Sequence, residues 1–229
     1  MSVVERVNKA WDRIDAWYKQ NAPKYELPKG ATDAELDELA KKLNVTLPEE
    51  LRVSLKRHNG FEDGKWPKGC LCSADRVPKE WEVWTDCLRD GDFDDEEVES
   101  DGTFQAKWWV EAWVPIDADG GGNGFVIDLA PGPKGKIGQI LFMDHEAGPS
   151  GPTHPDYAAY LEEIADQLEK GRYVMTEDNY IEDMEGAVDE DGEGDEEDED
   201  EDGDDGEEYE EEEEEEEEEK PKNKKKVKK

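Results

Sequence analysis

Four side chains in this 229-residue chain could combine into a metal site. Cys70 and Cys72 are separated by one residue, and Cys87 and His58 are conceivable further ligands. Structural zinc sites usually take four ligands and use cysteine pairs two to four residues apart. A Cys-x-Cys pair without a second pair fits that pattern poorly. We therefore expect free thiols, with no metal and no other cofactor.

The second group with possible chemistry is Asp144-His145-Glu146, which could supply ligands or transfer a proton. Adjacent side chains on a strand point to opposite faces, so these three should not converge. We expect them to mark the end of a strand that enters a loop. No nucleophile motif accompanies them. The sequence predicts no catalytic residue and a protein that is not an enzyme.

Two glycine-rich segments resemble phosphate-binding loops at first sight, GGGNG at residues 120–124 and PGPKGK at residues 131–136. A phosphate-binding loop follows a strand and opens a helix, usually with a lysine at fixed spacing. Both segments instead lie between predicted strands, and neither ends in Gly-Lys-Ser/Thr. We interpret both as hairpin turns.

The elements that position these groups begin with the segment NVTLPEELRVSLKRHNG, residues 44–60. Its leucines recur at every fourth position and form one apolar face: Leu47, Leu51 and Leu55. Pro48 suits the first turn of a helix, and Gly60 can take the left-handed conformation that ends one. The pattern predicts a short packing helix.

Apolar spacing predicts further helices at residues 3–20, after a capping box of Thr32 and Glu35, from about residue 78 to 89, and from Pro155 to Gly171. Apolar, β-branched and aromatic segments predict strands at residues 108–116, 124–130 and 137–143, with a shorter one within 66–73. The links between the three longer strands are too short for parallel crossovers, so antiparallel pairing is expected. The predicted fold class is α+β: N-terminal helices, an antiparallel meander sheet, a C-terminal covering helix and then a disordered acidic tail.

Charge divides the chain into a body and a tail. Of the 31 residues at 189–219, 26 are acidic, and seven of the last ten residues are lysine. Removing both groups from the net charge of −38 leaves −19 for residues 1–188. We expect an N-terminal helix and linker at 1–29, an α+β domain at 30–175 and a disordered acidic tail with a Lys-rich end at 176–229.

The same charge restricts the partners. An acidic body argues against direct binding of nucleic acid, whose phosphates require a positive surface, and favours a basic protein partner. No segment has the roughly 20 apolar residues of a membrane span, and no signal peptide is recognisable. Three cysteines do not form a secreted disulfide framework. We expect a cytoplasmic protein that does not bind membranes.

Candidate partner-binding residues lie in WWVEAWV, residues 108–114, and in the acidic segment DGDFDDEEVESDG, residues 90–102. On a strand, Trp109, Glu111 and Trp113 share the face opposite the predicted core face. We expect these large indoles to pack in the core or a second layer; an exposed aromatic site for a protein partner is the alternative. The acidic segment has too few apolar residues to pack, so we predict a loop. Its carboxylates would attract a basic partner: Asp92, Asp94, Asp95 and Glu96.

The acidic tail has three interpretations. It could imitate nucleic acid in the basic groove of a nuclease toxin, bind basic proteins, or act as a solvated chain that maintains solubility. Its lysine-rich end could serve nuclear targeting or fold back on the acidic residues.

Several of these stretches together resemble the SUKH superfamily, in the branch of fungal cell-wall assembly regulators and bacterial immunity proteins. The resemblance covers roughly residues 30–173, and its most specific part is IDLAPGPKGKIGQI. Positions that match the family's structural motif are Leu47, Pro48, Leu51, Asn59, Gly60, Asp128 and Gly138. The resemblance implies a non-catalytic α+β domain that binds other proteins.

Two functions follow from that resemblance. The first is an immunity-type protein that neutralises a basic toxin by steric and electrostatic blockade. The alternative is a regulatory scaffold for cell-wall synthesis or signalling.

Overall fold

The computed structural model describes residues 1–184, which form five helices and nine strands. The helices are α1 (Val3–Asn21), α2 (Asp33–Leu43), α3 (Glu49–Arg57), α4 (Arg76–Asp90) and α5 (Tyr157–Glu169). The strands are β1 (Phe61–Trp66), β2 (Gly69–Leu71), β3 (Trp113–Pro115), β4 (Asp117–Ala118), β5 (Gly124–Asp128), β6 (Gln139–Asp144), β7 (Gly148–His154), β8 (Tyr173–Met175) and β9 (Ile181–Asp183). The predicted α+β class is confirmed. No helix in this part of the chain is long and apolar enough to cross a membrane.

Side-chain caps determine where the first helices begin. The Oγ atom of Ser2 accepts from the backbone N–H of Glu5 at 3.2 Å, and the Glu5 carboxylate accepts from the backbone N–H of Ser2 at 2.7 Å. Thr32 and Glu35 form the same reciprocal pair before α2. Each box satisfies backbone donors that a helix start would otherwise leave without partners. The predicted α1 and α2 are both confirmed.

The strands form two sheets that share one bent segment. β1, β2 and β4 form a three-stranded sheet, and β3, β5, β6 and β7 form a four-stranded sheet; every pairing is antiparallel. Only Ile116 separates β3 from β4. The segment from 113 to 118 therefore leaves the larger sheet and enters the smaller one. β8 and β9 form a separate hairpin.

Pairing register assigns the two faces of the larger sheet, because cross-strand partners share a face. Phe125 pairs with Phe142, and the Phe125 ring lies 5.6 Å from the Tyr160 ring of α5. Trp113 pairs with Asp128 on the opposite face, where the Trp113 ring meets the Trp109 ring at 5.7 Å. One face is thus covered by α5, and the other by α4 and the aromatic segment before β3.

A buried serine joins three helices in the layer that contains α5. The indole Nε1–H of Trp11 donates to the Oγ atom of Ser54 at 2.9 Å, and this Oγ atom lies 3.1 Å from the Tyr157 hydroxyl. Ser54, Trp11 and Tyr157 come from α3, α1 and α5, and all are almost completely buried. At the surface, Arg6 and Arg13 of α1 form ion pairs with acidic side chains on or at the start of α5.

A second buried polar group connects α5 to the bend between the sheets. The Tyr160 hydroxyl donates to the Oδ2 atom of Asp117 at 2.5 Å, and the Phe125 N–H donates to its Oδ1 atom at 2.6 Å. The Nε1–H of Trp66 donates to the Tyr160 oxygen at 3.0 Å. Burial raises the pKa of Asp117 to about 7, although these hydrogen bonds favour the charged form.

The predicted strand at residues 108–116 is wrong over its first half. β3 begins only at Trp113, and residues 108–112 form an irregular turn. Two hydrogen bonds hold this turn in place of strand pairing. The Trp113 N–H donates to the Val110 oxygen at 2.8 Å, and the Trp81 indole donates to the Glu111 oxygen at 2.9 Å. Packing of large indoles overrides the β propensity of the segment.

β7 was not predicted, because its sequence, GPSGPTH, carries the glycines and prolines of a loop. Its pairing with β6 is irregular, since the register shifts between Ile140 and Phe142. β7 has β6 as its only partner among the described residues, and an edge strand tolerates proline.

The structure forms the β8–β9 hairpin across residue 176, where the disordered tail was predicted to begin. The Lys65 ammonium lies 4.1 Å from the centre of the Tyr180 ring and also donates to the Asn179 oxygen. Arg172 pairs with Asp183 across the hairpin at 3.0 Å. The remaining acidic residues and the lysine-rich end lie outside the described residues.

Replacing Ser54 with alanine should destabilise the protein by about 1–3 kcal/mol, because Trp11 and Tyr157 would lose a buried partner. Ser150→Ala, at an exposed position of β7, should change stability by less than about 0.5 kcal/mol. Urea unfolding of the full chain measures both values. Equal stability of Ser54→Ala and the unmodified protein would show that the serine does not join the helices.

Asp117 should make stability depend on pH. Between about pH 4 and pH 7 the folded protein retains a proton that the unfolded chain has lost, so stability should fall as pH rises. The slope from this group is at most about 1.4 kcal/mol per pH unit. Urea unfolding at several pH values should give a flatter profile for Asp117→Asn than for the unmodified protein.

Asp37→Asn provides the control, since it removes an exposed carboxylate and should leave the steeper profile in place. Parallel profiles for Asp117→Asn and the unmodified protein would contradict a raised pKa at Asp117.

Candidate functional site

The cysteines and His58 do not come together as a metal site. Cys70 and Cys72 are buried, and hydrogen bonding with Cys70 together with burial raises the pKa of the Cys72 thiol well above its ordinary value. A thiol with a raised pKa is a poor nucleophile and a poor metal ligand. His58 places Nδ1 2.6 Å from the Pro28 oxygen and Nε2 2.9 Å from Asp15. Within residues 1–184, no three His, Cys, Asp or Glu side chains are arranged to bind a metal.

The Asp144-His145-Glu146 group ends β6 and shapes the following turn. The Oδ1 atom of Asp144 accepts from the N–H groups of Glu146 and Ala147 at 2.8 and 3.0 Å. His145 and Glu146 approach each other to 3.8 Å, but both side chains are largely exposed. This geometry closes a turn and encloses no reaction site.

Both glycine-rich segments lie in turns. In the turn between β4 and β5, the Oδ1 atom of Asp119 accepts from the N–H groups of Gly121 and Asn123 at 2.7 and 3.0 Å. In the turn between β5 and β6, the Lys134 ammonium donates to the Asp101 oxygen at 2.6 Å. The lysine that a phosphate loop would aim at its ligand instead binds a neighbouring loop of the chain.

Two of the family-motif positions organise the second turn. Asp128 is completely buried and accepts from the indole of Trp113 at 3.0 Å and from the amide of Gln139 at 2.9 Å. Burial raises the pKa of Asp128, and these hydrogen bonds oppose the shift. Gly138 has a φ of +92° and donates its N–H to the Asp128 oxygen at 2.8 Å.

The motif positions around α3 are also structural in their contacts. Leu47 and Leu51 are buried, and Pro48 caps the start of the helix. Asn59 accepts from the Ala74 N–H at 2.8 Å. Gly60 does have a left-handed φ of +78°, but the helix cap is His58, in an extended conformation. The glycine instead permits close approach to Ser73, whose nitrogen would lie 2.5 Å from an added Cβ atom.

Trp109 and Trp113 pack in the core, as expected, and the alternative of an exposed face is wrong. Their exposed fractions are 1% and 0%, and the Trp109 indole donates to the Oγ1 atom of Thr85 at 3.1 Å. Because β3 begins only at Trp113, the alternating face assignment fails before that residue. Glu111 is exposed and pairs with Arg89 at 3.2 Å. A partner-binding role for the two tryptophans stays a prediction that their burial does not support.

The acidic segment is a loop, as predicted, but it does pack. Phe93 lies between two indoles, with ring centres 6.1 Å from Trp84 and 5.8 Å from Trp108. Trp84 in turn stacks on Trp109 at 5.7 Å. Phe93 and the partly buried Val98 thus pack a loop whose acidic composition alone would leave it solvated. Its predicted partner-binding carboxylates are all exposed: Asp92, Asp94, Asp95 and Glu96.

Next to this loop lies a groove of about 470 Å³ between α4 and the β4–β5 hairpin. α4 contributes one face of the helix, with residues spaced by three or four positions: Arg76, Glu80, Val83, Trp84 and Cys87. The opposite side and floor come from the strands and their turns: Pro115, Asp117, Ala118, Gly120, Gly122, Asn123, Gly124, Phe125, Val126, Met143 and His145. Phe93 closes the end formed by the acidic loop. The groove has the size and mainly apolar lining of a ligand-binding site.

The arginine that lines the groove is paired within the domain, whereas the carboxylates of the acidic loop are not. Arg76 is bound to Glu80 at 2.9 Å and to Asp63 at 2.7 Å, so this cation is already paired. Among the described residues, none of the four loop carboxylates forms an ion pair with a lysine or an arginine. The groove therefore combines an apolar interior with an unneutralised negative edge.

Sequence reasoning identified the negative edge and missed the groove. Val83, a large aliphatic side chain on the amphipathic helix α4, is 62% exposed. That position was the available signal, since it lies outside the buried stripe of Val77 and Trp81. The other available signal was Phe93, the one aromatic residue in the acidic segment at 90–102.

Comparison with known proteins places these features in a family. The model of the SMI1/KNR4 family (SUKH-1) matches residues 30–170. A Neurospora crassa protein named glucan synthesis regulatory protein is 30% identical over 213 residues, covering 75% of this chain and 40% of that protein. A Schizosaccharomyces pombe protein named cell wall biosynthesis/cell cycle regulator smi1 is 29% identical, covering 76% of this chain and 38% of that protein.

A third relative, the Saccharomyces cerevisiae cell wall assembly regulator SMI1, is 22% identical, covering 74% of this chain and 42% of that protein. The chain spans about two fifths of the length of each of these relatives. All three are named as regulators, and none of the three is named as an enzyme. The family-model match over more than half of the chain shows that the chain belongs to the SMI1/KNR4 (SUKH-1) family.

Proposed function

We propose that this chain is a regulatory, non-catalytic protein-binding domain that acts in the control of cell-wall synthesis. The observation that carries the proposal is membership of a family whose matched fungal relatives are named for regulation of glucan synthesis and the cell wall. The names of these relatives favour the regulatory scaffold over an immunity protein, which none of the relatives described above is called.

The geometry of the described residues supports a binding role. The polar side chains with possible chemistry are buried in structural hydrogen bonds or lie in turns, whereas the groove beside α4 leaves apolar surface open. A domain that works by binding needs such a surface and no convergent acid, base or nucleophile. Three free thiols, two of them buried, suit a reducing compartment such as the cytoplasm.

A domain exchange tests this proposal. The region of the Neurospora crassa relative that matches this chain would be replaced by residues 1–184, in a strain that lacks the native gene. We expect the exchanged protein to restore cell-wall glucan well above the level of the deletion control, because the two regions are 30% identical. Wall glucan content, measured chemically, is the readout.

The control is the same relative with the matched region removed, which should not restore glucan. Immunoblotting verifies that both proteins accumulate. A stable exchanged protein that restores no more glucan than the deletion would contradict the proposed function.

A further inference from the structure

We infer that the groove between α4 and the β4–β5 hairpin binds a segment of another protein in which a large apolar side chain is flanked by lysine or arginine. This inference rests on the proposed binding function and names the chemistry of the partner. It uses two independent features of the structure, the apolar interior of the groove and the unpaired carboxylates at its edge.

The apolar feature is surface that the domain itself does not cover. Val83 is 62% exposed and lines the groove beside Trp84 and Phe93. Contact with an apolar side chain of a partner would remove this surface from water, which is favourable. A leucine, methionine or phenylalanine from a partner would contact these three side chains together.

Contacts within the domain hold the walls of the groove in place. The Trp84 ring stacks on buried Trp109 at an interplanar angle of 18°, and its other neighbour is Phe93. At the floor, Asp117 is held by Tyr160 and by the Phe125 N–H. A preformed site loses little conformational entropy on binding, so short segments can bind it.

The charge feature selects the flanking residues of the partner. Residues 90–102 contain eight acidic and no basic residues, and the loop contacts the groove through Phe93 and through Asp92, which hydrogen-bonds with Cys87. The nearest arginines are already occupied, Arg76 by Glu80 and Arg89 by Asp86 and Glu111. Cations from a partner would meet carboxylates without competing internal ion pairs, whereas phosphates would be repelled.

The test uses two fluorescein-labelled peptides and the full 229-residue chain. The peptide KKLKKLKK carries the proposed chemistry, and KKSKKSKK has the same charge without the apolar side chains. Both should bind the acidic tail to the same extent, so the ratio of their affinities reports the groove. We expect KKLKKLKK to bind about tenfold more tightly, measured by fluorescence anisotropy at about 150 mM salt.

Matched variants locate the site. Val83→Asp should reduce this ratio towards one, because it places a charge in the apolar wall. Ile137→Asp makes the same change at a residue that is 75% exposed outside the groove and should leave the ratio unchanged. Neutralising Asp92, Asp94, Asp95 and Glu96 together as amides should weaken binding of KKLKKLKK about tenfold at low salt.

A ratio near one in the unmodified protein, or a ratio that Val83→Asp leaves unchanged, would overturn the inference. So would a dimer in sedimentation experiments that Val83→Asp dissociates, because the groove would then serve self-association. The domain exchange separates this failure from a failure of the proposed function. If exchanged proteins with valine or with aspartate at position 83 restore glucan equally, the groove is not the binding site. The proposed regulatory function would then still stand.

Discussion

The hydrogen bond from Tyr160 to buried Asp117 is the interaction on which the arrangement of this domain depends. Asp117 lies where the segment from 113 to 118 leaves the four-stranded sheet and enters the three-stranded sheet. Its second oxygen accepts from Phe125 of β5, so one carboxylate joins both sheets to α5. An unpaired carboxylate at this depth would be costly, and removing either donor would disturb the bend. The floor of the groove is the outer side of that bend.

The two faces of the larger sheet consequently have different roles. On one face, α1, α3 and α5 pack around Ser54, and a second cavity of about 470 Å³ lies at the edge formed by α1, the end of α5 and β8. On the other, stacked aromatic rings from α4, the acidic loop and the segment before β3 cover only part of the surface. The buried core extends over both faces, whereas the groove lies apart from the layer around Ser54. Such a separation allows the binding surface to vary while the fold is retained.

Sequence reasoning predicted the elements whose signals are local and missed those set by distant contacts. Apolar spacing located α1, one capping box located α2 and leucine spacing located α3, because helix ends and helix faces are determined within a few residues. The burial of Trp109 depends on Thr85, and the packing of Phe93 depends on Trp108, neither of which a strand or loop pattern contains. The groove joins residues from 76 to 145, and no local spacing encodes their convergence. The acidic edge could be predicted because the charge of a segment follows directly from its amino-acid composition.

Binding in the groove beside α4 is tested most directly by locating the residues that a basic, leucine-containing peptide contacts. Backbone amide signals of the isotope-labelled full chain would be recorded by NMR with and without KKLKKLKK, using KKSKKSKK to subtract contacts with the acidic tail. If the groove binds the peptide, leucine-dependent shifts are expected in residues 80–87 of α4 and in the turn at 119–124, with little change in α1 or α5. Leucine-dependent shifts confined to α1 and α5, with none along the groove, would contradict binding in the groove.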